Sequence, residues 1–355
     1  MKAWRGRDEV GPGDPSAGSV GRPDAGSLAD LADRGLGLDP RSDRTHRHGD
    51  VEPPGDHVHP HAHGEPGDRP GVGIVGAGAA GTALGVALSR GGWPVLAVAS
   101  RDAGRRARFM SLVPGARAFA EPGPLLDEVD VIVLAVPDDA IAPLAAGLRM
   151  YGGQAMVHTS GALDADVLEP ARAAGTQVGS FHPLVAFADV ELAVAALRGA
   201  TVAVEGDDDL MPLLAEMAAT IGANAVRLES GTKAAYHAAA MLAAGGFVAL
   251  LEAIARLGSA AGLDEAGSLA VYGRLAEQTL ANARALGVAA ALTGPVVRGD
   301  AGTVGRHLEA LARLAPDVLP LYRALAEREI AIAESRGVLA PDAAHGLRAR
   351  LAGPG

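Results

Sequence analysis

Four short motifs hold side chains whose types and spacing suit chemistry. "SFHPL" carries His182, and "VHTSGAL" carries His158, Thr159 and Ser160, each at the end of a strand-like apolar run. An imidazole titrates near neutral pH, so His182 suits a general acid or base beside a hydride transfer at a carbon bearing oxygen or nitrogen. Ser160 could hydrogen-bond a substrate or orient that imidazole; His158, inside its run, reads as structural. "GTKAAYHAAA" places Lys233 and His237 four residues apart, on one face of a helix. Lys233 could hold a substrate carboxylate or act as an acid, with His237 binding or polarising the reacting group. An exposed lysine beside a packing histidine is the plainer alternative. "ALTGPVVRGDAGTVGRH" is a Gly-bounded loop inside a helical region, a setting that often lines a site. Thr293 and Arg298 could bind an anionic substrate there, and Thr303 could cap the next helix. The alternative is an Arg298–Asp300 surface pair with an ordinary cap.

The elements that must position these residues change character along the chain. From Gly71, "GVGIVGAG", "PVLAVASRD", "VDVIVLAVPDDAI", "GQAMVHTSG", "TQVGSFHP", "ATVAVEG" and "NAVRLES" read as strands with helical stretches between several of them. "VDVIVLAV" is almost uninterrupted in its apolar character, as a strand buried on both faces of a parallel sheet must be. This alternation predicts a doubly wound α/β domain over 71–230. From 231 to 352 the strands stop and long helical patterns follow, predicting an all-helical second domain. Its first helix is rich in small residues suited to close packing. The stretch Ala234–Leu251 has no formally charged residue, yet it is mostly Ala and Gly with a Tyr and a His. It reads as a buried helix of a soluble domain rather than a membrane span.

"GAGAAG" sets Gly76, Gly78 and Gly81 in the G-x-G-x-x-G spacing where a strand turns into a helix. Because 48 of 355 residues are glycine, the spacing alone says little; the strand–turn–helix context makes it a dinucleotide signal. Gly76 permits the turn, Gly78 lets backbone approach a pyrophosphate, and Gly81 lets the helix pack on the strand, with Ala79 and Ala80 opening that helix toward the phosphates. The second strand closes on Ser100-Arg101, where an NAD site commonly has an acidic residue. Ser100 and Arg101, supported by Arg105 or Arg106, suit a ribose 2'-phosphate, so NADP is expected and NAD is the alternative. Asp102 would favour NAD if the strand ended one or two residues later. Val136 and Pro137 would wall the cofactor ribose.

Composition bounds the partners. A net charge of -11 and no basic stripe argue against nucleic acid. The absence of cysteine removes thiol chemistry and fits a cytoplasmic protein. "MKAWRGRDEV" lacks the apolar run of a signal peptide. Residues 1–70, with 12 Gly and 9 Pro, read as a disordered tail. His57, His59, His61 and His63 alternate within it; with no partner ligands at fixed spacing, no metal site is expected.

"GIVGAGAAG", "VPDDAI", "HTSGAL", "SFHPLVAF", "YHAAA" and "LTGPVVRGDAGTVGRHL" occur in this order. Together, over about Gly71 to Ala352, they resemble the Rossmann-like proteins whose C-terminal module is known as domain of unknown function 2520. The resemblance implies an NADP-type Rossmann domain and a 6-phosphogluconate dehydrogenase-like helical domain that forms a homodimer, with a site in the cleft between them. Related folds are the β-hydroxyacid dehydrogenases, pyrroline-5-carboxylate reductase and the deazaflavin-linked NADP oxidoreductases. In β-hydroxyacid dehydrogenases a Lys and an Asn one turn apart face the substrate; Lys233 matches the first and His237 takes the place of the second. In prephenate and arogenate dehydrogenases a His-Pro carries the catalytic histidine with a serine upstream, which His182-Pro183 and Ser160 resemble. The chain departs from the family pattern at Val185-Ala186, where Gln-Thr is frequent, and at Gly245, where Asn is frequent. The resulting expectation is an NADP-dependent oxidoreductase acting on a small, carboxylate-bearing substrate; a dinucleotide-binding sensor without turnover is the alternative.

Overall fold

The computed structural model describes residues 69–353. The expected tail, with its alternating histidines, lies outside the described residues except for Arg69 and Pro70. The chain divides into two compact units, one through Ala234 and one from Ala235.

The first unit is an eight-stranded sheet in the order β3-β2-β1-β4-β5-β6-β7-β8. The strands are β1 (Val72–Val75), β2 (Val95–Ala99), β3 (Arg117–Phe119), β4 (Val131–Leu134), β5 (Ala155–His158), β6 (Gln177–Pro183), β7 (Thr201–Gly206) and β8 (Asn224–Arg227). Pairing is parallel throughout except between β6 and β7. This is the doubly wound arrangement with an antiparallel joint near one edge. Side chains alternate across the sheet. Val72, Ile74, Val131, Val133 and Val157 enter one core, and Val75, Ile132, Leu134 and Met156 enter the other. Both faces are covered, which explains why these strands read as continuous apolar runs. Burying Phe181, wholly inaccessible, contributes about 2 kcal/mol.

Six helices of this unit serve the sheet: α1 (Ala79–Arg90), α2 (Ala103–Leu112), α3 (Asp138–Gly147), α4 (Glu169–Arg172), α5 (Val190–Leu197) and α6 (Met211–Thr220). β3, three residues long, is too short to stand out as a strand; it forms because its backbone pairs with the edge of β2. β6 outruns β5 because its last residues pair with antiparallel β7, His182 opposite Ala203.

Lys233 opens a continuous helix whose α7 segment (Lys233–Met241) passes through a π-helical turn (Leu242–Gly246) into α8 (Phe247–Ala260). The second unit continues with α9 (Glu265–Leu286), the short α10 (Val288–Ala291), α11 (Ala301–Leu314), α12 (Leu319–Ser335) and α13 (Pro341–Ala352). Val304, Ala326, Ile330 and Leu347 form its main core, and Ala253, Leu311 and Val318 a second. Close packing by small residues is realised at Gly258, where a Cβ would stand 2.1 Å from Ser268 Oγ of α9.

The expectation of a buried helix over Ala234–Leu251 is corrected. Lys233–Ala260 is long and apolar enough to cross a membrane, and its apolar window is 6% buried. Met241, Leu242, Phe247 and Val248 stand in the open. Gly258 packs against Ser268 of α9 and Ala253 joins the cluster of Leu311 and Val318, whereas the turns from Met241 to Val248 are exposed.

Candidate functional site

A cavity of about 830 Å³ opens at the carboxyl ends of β1, β2, β3 and β4. Gly76, Gly78, Ala79, Ala80, Ser100, Arg101, Val136 and Pro137 all line it. Gly76 sits at φ +108, and a Cβ there would stand 2.2 Å from the Ala135 carbonyl oxygen, so only glycine serves the turn. Gly81 lies beneath: its Cβ would meet the Gly76 carbonyl oxygen at 2.0 Å, which fixes how closely α1 packs on β1. Gly78 differs from both. Its φ of -74 and ψ of -173 suit any residue, and nothing lies within 4 Å of its would-be Cβ. A glycine that neither the turn nor the packing requires fits a backbone that a ligand must approach. Gly78 is also the N-cap of α1 and offers no side-chain cap, and the first turn carries no acidic residue. Its unfilled N–H groups suit a pyrophosphate, so the residues present fit a dinucleotide.

The end of β2 sorts its charges. Asp102 is committed to capping α2, accepting from Arg105 N at 2.9 Å. That bond, aided by the Arg105 charge, holds its carboxyl below the usual range. Arg105 and Arg101 line the cavity, whereas Arg106 donates to the carbonyls of Ser100 and Arg101 and so fastens the loop instead of facing the cavity. Sequence reasoning missed Ala120, Glu121 and Pro122 at the end of β3 and Ala140, Pro143 and Leu144 of α3, which complete the lining. The former follow from an edge strand invisible to periodicity; the latter were legible as the apolar side of "DDAIAPL".

The next strand ends, β5 and β6, hold the proton-transfer candidates. His158 is wholly buried; its Nδ1 accepts from Ser160 N at 3.2 Å, so its proton sits on Nε2, 3.2 Å from the Asp164 carbonyl oxygen. Burial above all, then the Lys233 charge, pushes its pKa down to about 3, and the ring is neutral. Half-buried His182 places Nδ1 3.0 Å from the Thr159 carbonyl oxygen. A carbonyl only accepts, so Nδ1 carries the hydrogen and Nε2 is the basic nitrogen of the neutral ring. The Thr159 carbonyl is therefore an orienting group for His182, and the Ser160 hydroxyl accepts from Ala162 N and Leu163 N to close its own turn. Thr159 N donates to the Leu134 carbonyl at 3.0 Å, tying this loop to the strand whose extension, Ala135–Pro137, walls the cavity.

Lys233 is wholly inaccessible, and its Nζ donates to the Ser160 carbonyl at 2.8 Å. Burial lowers its pKa to about 8 against the pull of Glu205, Asp164 and Asp138. The α/β unit thus brings Ser160, His182 and Lys233 into one hydrogen-bonded group. His237, half-buried, and Thr293 and Arg298, both exposed, belong to the helical unit. There Asp300 caps α11, accepting from Thr303 N at 2.8 Å and Thr303 Oγ1 at 2.6 Å. Thr303 is the capped partner and not the cap, because Asp300 occupies the position preceding the first helical residue.

Comparison with known proteins agrees with this architecture. The Rossmann-like domain family matches residues 60–183, and the family described as domain of unknown function (DUF2520) matches residues 200–329. No curated protein matches the sequence. Among solved structures, the "putative NADP oxidoreductase BF3122" of Bacteroides fragilis is 23% identical with a TM-score of 0.62, the match covering 74% of this chain and 98% of that one. Protein TM1727 of Thermotoga maritima is 27% identical with a TM-score of 0.57, covering 75% and 99%. A reductive aminase of Aspergillus terreus, solved with NADPH and ethyl levulinate, is 18% identical with a TM-score of 0.57, covering 79% and 99%.

Proposed function

We propose that this chain, a Rossmann-like protein carrying the DUF2520 module, is an NADP-dependent oxidoreductase that transfers hydride to or from a small, carboxylate-bearing substrate. The observation that carries the reading is the cavity at the strand ends: an unobstructed Gly78 at a bare helix N-terminus, with Arg101 and Arg105 at the ribose end and Asp102 engaged as a cap. The B. fragilis neighbour, described as an NADP oxidoreductase, and the A. terreus neighbour, solved with NADPH, support the cofactor assignment.

When bound, the nicotinamide supplies or accepts the hydride. The protein's residues do the rest. Backbone N–H groups at Gly78–Ala80 bind the pyrophosphate, and Ser100, Arg101 and Arg105 bind the 2'-phosphate. His182, as the imidazolium, gives its Nε2 proton to the oxygen or nitrogen on the reacting carbon during reduction, and as the neutral ring takes a proton at Nε2 during oxidation. In the helical unit the substrate-binding candidates are His237, Thr293 and Arg298, the last matched in chemistry to a carboxylate. The exposed apolar run at Met241–Val248 supports a homodimer formed through the helical unit, and the cysteine-free composition supports a cytoplasmic enzyme.

Fluorescence titration of the purified protein tests the cofactor. Charge-assisted hydrogen bonds to a 2'-phosphate contribute about 1.5–3 kcal/mol, so NADPH should bind about 10- to 150-fold more tightly than NADH, and Arg101→Asp should erase or reverse the preference. Equal affinity for the two would refute the NADP assignment. A screen of 2-keto and imino acids by NADPH absorbance should then find turnover that His182→Ala abolishes while leaving NADPH affinity intact. Tight NADPH binding with no turnover across that screen would assign the chain instead to the sensor class.

A further inference from the structure

We propose that Lys233 is a positioning residue whose ammonium, buried within the α/β unit, holds the Ser160 carbonyl and thereby fixes the Thr159 carbonyl that orients His182. The inference rests on the reading of His182 as the proton donor and acceptor. It assigns Lys233 a role inside the protein in place of contact with the substrate.

The geometry forms a short chain of hydrogen bonds. Lys233 Nζ reaches the Ser160 carbonyl oxygen at 2.8 Å. One peptide earlier, the Thr159 carbonyl oxygen lies 3.0 Å from His182 Nδ1. Between them, Ser160 N is spent on His158 Nδ1 and Thr159 N on the Leu134 carbonyl. The Thr159–Ser160 segment thus has its N–H groups bound on the sheet side, and Lys233 is what holds the following carbonyl. Lys233 has no accessible surface, so in this arrangement its ammonium faces protein and not bound substrate. Glu205 and Asp164 favour its charged form, which accounts for an ammonium persisting at so buried a position. His158, kept neutral, accepts from the Ser160 N–H that a protonated imidazole would repel.

The consequence is a defined tautomer. A free neutral histidine exchanges its proton between the two ring nitrogens, whereas His182 held against the Thr159 carbonyl keeps it on Nδ1 and presents Nε2 as the proton-transferring atom. Loosening Ser160 would let the Thr159 peptide rotate and release that selection.

Two-bond ¹H–¹⁵N spectra of the full-length, ¹⁵N-histidine-labelled protein read this directly. Wild type should show His182 as a single Nδ1–H tautomer; Lys233→Met should give a mixed tautomer while NADPH affinity stays within twofold. Because the chain holds no cysteine, Lys233→Cys alkylated with 2-bromoethylamine in denaturant and then refolded restores an ammonium of matching reach at this one position, and the single tautomer should return. An unchanged His182 tautomer in Lys233→Met overturns the proposal whatever the turnover. A mixed tautomer restored by alkylation upholds it even if no substrate is ever found, so the two readings fail separately. Should the variants not fold, the wild type still decides. Lys233 ammonium protons protected from solvent exchange support the proposal, and their rapid exchange at neutral pH overturns it.

Discussion

Gly78→Ala separates the stability of the fold from the binding of a dinucleotide. The backbone at Gly78 lies where alanine is at ease, and nothing within 4 Å meets the added methyl. Removing a glycine from the unfolded chain stabilises by about 0.4–1 kcal/mol, while exchanging glycine for alanine at an N-cap costs a similar amount. The two effects cancel to within about 0.5 kcal/mol, so the urea midpoint should hardly move. At Gly81 the same substitution brings a methyl to 2.0 Å from the Gly76 carbonyl oxygen, a backbone atom that cannot yield without moving the turn. Overpacking of that kind costs about 1–3 kcal/mol or more, with a visible fall in midpoint. Binding should rank the variants differently. The Gly78 methyl projects into the space a pyrophosphate must enter, and a loss of at least tenfold in NADPH affinity, about 1.4 kcal/mol, is expected by fluorescence titration of a protein that unfolds like wild type. Unchanged NADPH affinity in a folded Gly78→Ala protein would refute the argument, because the phosphates would then approach elsewhere.

Lys233 should leave a mark on the pH dependence of stability. Its folded pKa of about 8 lies below the ordinary value of 10.5, so between those pH values the unfolded chain holds the extra proton and stability rises with pH. The groups acting on it are Glu205, Asp164 and Asp138, with His158 responding to its charge. The stability difference between wild type and Lys233→Met should therefore move in favour of wild type by up to about 3 kcal/mol from pH 8 to 10.5. A pH-independent difference in urea unfolding would contradict the buried ammonium. On the helical unit, Leu242→Asp with Val248→Asp alters side chains that are 75% and 65% exposed. If the proposed homodimer forms through this face, the doubly substituted chain should fold yet elute at half the wild-type mass by light scattering; an unchanged mass would refute that interface.

The chain's linear order already contains the α/β unit, because both chemical signals behind it are local. An apolar strand running into "GAGAAG" and a sheet buried on both faces leave period and glycine patterns that depend on near neighbours alone. The same holds for Ser100-Arg101 and for a histidine at the end of β6. Tertiary structure decided what those signals could not carry. β3 is an edge strand on β2, and its three residues, Arg117 to Phe119, are too few to show a period. Asp102 and Asp300 became caps because each helix began one residue after them, settling the place that Thr303 had been expected to fill. The helix from Lys233 to Ala260 reads as core by composition, yet most of it faces outward, since composition reports hydrophobicity and not which partner covers it. Lys233 shows the division most sharply. In sequence it pairs with His237 across one helical turn; in the folded chain its ammonium is buried against the Ser160 carbonyl, 73 residues away. Helical spacing determines which side chains share a face, but the nearest acceptor of a buried charge is set by the long-range packing that excludes water from it.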